Sequence, residues 1–123
     1  MKRKKSPRKK LVAEADRVFS LAVRKRGGNR CWICGSHKNP QCGHILSRVA
    51  YSVRWDLRNA VVMCASCNLR MEHDVPHIRA VTDSYIQFYG LDAWEKLVLD
   101  WHTVRKYTNE ELQQIIDHYR GLL

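Results

Sequence analysis

"QCGHILSR" (41–48) lies between two Cys-x-x-Cys pairs, "CWIC" (31–34) and "CASC" (64–67). The two pairs are a strong signal. A tetrahedral zinc takes four thiolates, and two residues between cysteines let both sulfurs reach one ion. A redox pair needs only one such motif, so the second argues against that reading. Cys31, Cys34, Cys64 and Cys67 are therefore read as ligands of a structural zinc, with Gly35 supplying the tight knuckle after the first pair. Between Cys34 and Cys64 stand 29 residues, whereas a simple zinc ribbon has roughly 15–20 there. Something extra is held between the knuckles, and His44 belongs to it. Four cysteines already close the zinc site, which leaves His44 as a buried structural residue or as a catalytic base. The fifth cysteine, Cys42, reads as a small buried residue.

The rest of the chain bounds the partners. Its 123 residues suit one domain. The formal net charge is +10 and the pI about 9.7, which favours an anionic partner, nucleic acid first. The charge is concentrated: residues 1–58 hold 16 of the 22 Lys and Arg but three of the 12 Asp and Glu. No apolar run reaches the ~18 residues of a membrane span, and no signal-peptide core follows the basic start. The expectation is an intracellular protein whose cysteines bind metal rather than pair.

Residues 1–10 carry seven Lys and Arg and read as a disordered basic arm. Residues 11–26 repeat apolar side chains at helical steps from Leu11 to Val23 and end at Gly27-Gly28. Residues 30–73 form the Cys/His-rich core, with "AVVMC" (60–64) its clearest strand. Residues 74–123 turn helical. Asp92 with Glu95, and Thr108 with Glu111, show capping-box spacing.

Outward from His44 come "RWDLRN" (54–59), "CASCN" (64–68) and "EHDVP" (72–76). A histidine, an asparagine before the next strand, and an asparagine opening a helix resemble the HNH (His-Me finger) nucleases. Within them, the stretches resemble the phage recombination nucleases called NinG or Rap over about residues 31–90. The resemblance implies an α+β fold: a small, zinc-stapled ββα-metal (HNH) core with flanking α-helices, residues 11–123 making one such domain. It implies a metal-dependent endonuclease hydrolysing DNA phosphodiester bonds, on branched or recombination DNA such as a Holliday junction or D-loop. In that reading His44 is the general base, Asn59 fixes the loop and orients it, and Asn68 binds a divalent cation. A phage origin would place the protein in the cytoplasm of a bacterial host.

The chain departs from the family pattern at two positions. Gly43 stands where most HNH nucleases have an acid before the histidine, and Gln41 stands where the NinG-type pattern has Asp. Glu72, four residues after Asn68, shares a helix face with it and becomes the second ligand of Mg²⁺ or Mn²⁺. Arg48 and Arg54 are the expected grips on DNA phosphates. Each residue has a blander role open to it: Asn59 as a turn residue, Asn68 as a helix N-cap, Glu72 as a solvated side chain, the arginines as surface charge. The alternative function is a zinc-knuckle DNA-binding protein without cleavage. An adaptor built on the C-terminal helices, which could also supply a homodimer contact, is a third.

Overall fold

The computed structural model describes residues 6–123, so the basic residues 1–5 of the expected arm lie outside it. From Pro7 onward the arm is helix instead. Ser6 caps α1 (Pro7–Arg26) by accepting from the Lys9 amide, and Pro7 occupies the first turn, where its missing N–H costs nothing. The helix thus begins four residues before the apolar repeat that revealed it.

Two five-residue strands, β1 (Pro40–His44) and β2 (Ala60–Cys64), pair antiparallel, with His44 opposite Ala60 and Pro40 opposite Cys64. Between them the chain makes one helical turn, α2 (Tyr51–Arg54), and a 3₁₀ turn at Leu57–Asn59. Helix α3 (Ala65–Arg70) follows β2 directly, and α4 (Val75–Tyr89), α5 (Leu91–His102) and α6 (Asn109–Gly121) complete the chain. The protein is thus a set of helices around a small two-stranded sheet. Thr108 and Glu111 form the expected capping box at the start of α6. Asp92 does not cap α5, which starts at Leu91 behind Gly90 with no side-chain cap.

All five residues of β2 are buried, because the strand separates two apolar cores. Ala60 and Val62 face Phe19, Val23, Leu112 and Ile116 on α1 and α6. Val61 and Met63 face Ile45, Val81, Tyr85 and Leu97. A strand covered on both faces has no polar alternation, hence the unbroken apolar run in its sequence. On α4, Val81 and Tyr85 are buried, while Phe88 and Tyr89 are exposed. Among the described residues no helix is long and apolar enough to cross a membrane.

Candidate functional site

Both knuckles are built by the same local chemistry. The Cys34 amide donates to Cys31 Sγ at 3.5 Å and the Cys67 amide to Cys64 Sγ at 3.4 Å, each three residues on. Gly35 turns the first knuckle at φ +77°, a left-handed conformation that side chains disfavour. The four sulfurs lie within 4.8 Å of one another, and Cys34 Sγ stands 3.7 Å from Cys64 Sγ. Tetrahedral Zn–S bonds of ≈ 2.3 Å require sulfur separations of about 3.8 Å, so the donor set and its spacing fit a structural zinc. Burial raises the Cys31 thiol, but amides of Cys34, Cys64 and Ile33 outweigh it and hold that thiol below its ordinary value, while Cys34 and Cys67 of the same cluster are pushed up, as expected where one thiolate is shared among close sulfurs. Burial pushes Cys42 up to about 12, and this thiol stays outside the cluster as an inert neighbour of the α1–α6 core. His77, also buried, bonds the Cys67 carbonyl through Nε2 at 3.1 Å and props the second knuckle.

His44 does not join the sulfurs. It ends β1, where Nε2 lies 2.8 Å from the Arg54 carbonyl. A carbonyl only accepts, so Nε2 carries the hydrogen and Nδ1 keeps its lone pair. Burial lowers the imidazole's pKa below 6.5; the Arg54 carbonyl opposes that shift and the Arg48 charge adds to it. The ring is therefore neutral at pH 7 and able to accept a proton.

The Asn59 side chain is fully buried. Its Oδ1 accepts from the Leu46 amide at 2.8 Å, and its Nδ2 donates to the carbonyls of Leu46 at 2.9 Å and Val53 at 3.3 Å. It makes no bond to His44. It pins the loop between β1 and α2, and that loop leads to the Arg54 carbonyl. Its effect on the imidazole is indirect.

His44, Asn68, Glu72, Arg48 and Gln41 line one groove of about 900 Å³. Asn68 lies within α3, whose N-cap is Cys64, so it is not a capping residue. Its Nδ2 donates to Gln41 Oε1 at 2.9 Å, leaving Oδ1 for another partner. Glu72 follows the last helical residue, Arg70, so the shared-helix-face argument does not place it. A turn brings it to the groove instead, through its amide bond to the Leu69 carbonyl at 3.1 Å. Glu72 has no ion pair among the described residues. Among the described residues it belongs to no group of three or more His, Cys, Asp or Glu side chains close enough to hold a metal.

Arg48 lines the groove with its side chain 58% exposed and Nη1 3.8 Å from Asp16 Oδ2. Arg54 does not. Its guanidinium holds both oxygens of Asp16, at 2.9 and 2.7 Å, and is 14% exposed. Asp16 also accepts from Trp55 Nε1 at 3.0 Å. A guanidinium closed by a carboxylate is poorly placed to grip phosphate. Its work is to hold the loop against α1, and through its own carbonyl to hold His44. The cation that sequence reasoning passed over is Arg24, which lines the groove from α1. In the last turn of α1 its charge suits the helix terminus, which gives no sequence reason to place it on a groove. Asp16 and Gln41 are two more polar groove residues without an assigned role in the sequence, because nothing local marks pairings 38 residues (Asp16 with Arg54) and 27 residues (Gln41 with Asn68) apart.

Gly43 has a packing reason to lack a side chain. A Cβ there would stand 2.4 Å from Met63 Cγ and Sδ, in the buried face of the hairpin. An acid before His44 would displace the core.

An antiparallel hairpin and a following helix, joined by a four-cysteine cluster that could hold a metal and flanked by helices, define a small mixed helix-and-sheet protein. The chain belongs to the NinG family: the family model described as bacteriophage lambda NinG protein matches residues 1–123. No curated protein and no solved structure matches it.

Proposed function

We propose that the chain is an HNH endonuclease that hydrolyses DNA phosphodiester bonds in a metal-dependent reaction, on branched or recombination DNA. The order strand, strand, helix, with the histidine ending the first strand and an asparagine on the helix, is that of a ββα-metal core. One observation carries the reading: a neutral imidazole, fixed through Nε2 by a backbone carbonyl, lines the same groove as Asn68, Glu72 and Arg48. NinG membership supports a link to phage recombination.

His44 Nδ1 takes the proton of an attacking water. The Arg54 carbonyl holds the ring and favours the imidazolium that results. Arg48 and Arg24 bind phosphates on either side of the scissile bond, fixing register without reading bases. Asn68 Oδ1 and the Glu72 carboxylate would hold Mg²⁺ or Mn²⁺, and a bound ion would supply Lewis-acid stabilisation of the scissile phosphate and the leaving 3′ oxygen. The groove's other carboxylate, Asp16, is consumed by Arg54 and Trp55.

The test is cleavage of a synthetic four-way junction and of plasmid DNA with Mg²⁺ or Mn²⁺. Loss of a general base lowers the rate by about 10²–10⁴-fold, so His44→Ala should fall in that range with its zinc retained. Cutting that persists unchanged in His44→Ala removes the residue from the mechanism. A second reading, a zinc-knuckle DNA-binding protein without cleavage, is favoured by Glu72 being the one unpaired carboxylate on the groove. It predicts salt-sensitive binding and no cutting by the wild type.

A further inference from the structure

The loop that pins His44 continues past the groove. Val49, at its tip, is 82% exposed and lines the groove on one side. On the other side it walls a second hollow of about 530 Å³ with Ser47, Ala50, Trp101 and His102. The Trp101 indole is fixed there by its Nε1–H, which donates to the Ser47 carbonyl at 3.2 Å. The His102 ring lies 4.8 Å from it, tilted by 60°. Val49 is therefore a ridge between a groove suited to phosphates and a hollow walled by aromatic rings.

We propose that this hollow receives an unpaired nucleobase from DNA whose backbone lies in the groove, with Val49 as the wedge between that base and the stack it has left. The proposal rests on the nucleic-acid reading of the groove and names an unpaired base, as a bulge or a displaced strand offers, as the feature recognised over plain duplex. Every base offers a π-face to an aromatic ring, so a stacking site selects unpaired bases without reading sequence. Apolar side chains beside phosphate-binding cations insert at unstacked steps. Here the apolar Val49 follows Arg48 directly. The nearest acid on α5, Asp100, is neutralised by Arg58 at 2.8 Å, so it does not repel the DNA backbone.

The experiment uses zinc-loaded protein without added Mg²⁺ or Mn²⁺. It compares binding of a short duplex with that of the same duplex carrying one unpaired 2-aminopurine. Stacking of one base strengthens binding by at least about fivefold, so the wild type should prefer the bulged DNA by that factor and quench the 2-aminopurine. Trp101→Ala should abolish both effects. His102→Ala and Val49→Ala should each reduce them. Trp101→Phe, which keeps a ring but loses the bond to Ser47, should retain quenching. Trp101 also packs on the zinc-side core; if Trp101→Ala does not fold, His102→Ala and Val49→Ala decide. Equal wild-type binding of the two DNAs overturns the proposal, as does a preference that survives in both His102→Ala and Val49→Ala. A chain that prefers the bulge through these residues but never cuts sinks the nuclease reading alone. A chain that cuts without the preference sinks the stacking site alone.

Discussion

The two faces of β2 are held by different means. On one, α1 and α6, 20 and 13 residues long, pack Phe19, Leu112, Ile116 and Tyr119 into a continuous apolar layer. On the other, α4 and α5 supply Val81, Tyr85 and Leu97, and beside them the six-residue α3 and the two knuckles, short of apolar side chains of their own, converge on four sulfurs. The difference shows what a metal does in a small fold. Where helices are long, buried area holds the structure. Where polar groups such as His44, Asn68 and Glu72 must remain at a groove, a coordinate bond replaces that area.

The largest expected effect follows from removing the zinc. Structural zinc contributes on the order of 10–16 kcal/mol in small metal-dependent folds. Chelation, or Cys31→Ser, should collapse hydrogen-exchange protection first over residues 31–67, and later over α1 and α6. Metal analysis should give about one zinc per intact chain. Protection lost at the same rate on both faces would break the distinction between them.

The complementary change is Leu112→Ala, in the fully buried apolar layer. It should cost about 2–5 kcal/mol in denaturant unfolding and leave the zinc content unaltered. A matching fall in zinc affinity would mean that β2 transmits strain between the faces and that they are one unit.

Asn59→Ala strikes where the faces meet. It strands the Leu46 amide and the carbonyls of Leu46 and Val53, now satisfied by the asparagine. Buried polar groups without partners cost about 1–3 kcal/mol each, and partial access of water to the loop limits the total to roughly 3 kcal/mol. If the loop is what holds the Arg54 carbonyl to His44, DNA cleavage should fall further than stability explains. A stable Asn59→Ala with full activity would separate the loop from the imidazole.

The metal frame was legible in the sequence because chelation imposes a spacing on adjacent residues, and "AVVMC" because burial on both faces removes alternation. Thr108 with Glu111 was legible for the same local reason. What escaped was long-range. Arg54 looked like a free cation because its partner, Asp16, lies on a helix 38 residues earlier, and Arg24 looked like a helix-end charge until α1 packed beside β1. The start of α1 was marked by Ser6-Pro7, but the dense charge of residues 1–10 hid it. Asp92 with Glu95 had the right spacing and the wrong context, since Gly90 had already set the helix start. Glu72 reached the groove by a turn rather than by the helical face its spacing suggested.

The smallest effect is also the one most specific to His44. Burial lowers its pKa below 6.5. In the proposed reaction the neutral ring is the base, so cleavage should be full above that value and fall as pH drops through the lowered pKa. The midpoint of the acid limb should thus lie below pH 6.5. Folding follows the same sign: the unfolded chain takes up the proton first, so stability is present above 6.5 and erodes below it. Arg48 contributes to the lowering, but its side chain is 58% exposed and water screens it. Arg48→Gln should move the midpoint upward only slightly, while weakening DNA binding and reducing its salt dependence by about one phosphate contact. Single-turnover cleavage of a junction between pH 5 and 8 would measure both. A wild-type midpoint above 6.5 would mean that the Arg54 carbonyl and, with it, the Asp16 carboxylate on α1 outweigh burial at the imidazole. The titration of His44 would then report the α1 side of the groove rather than the zinc side.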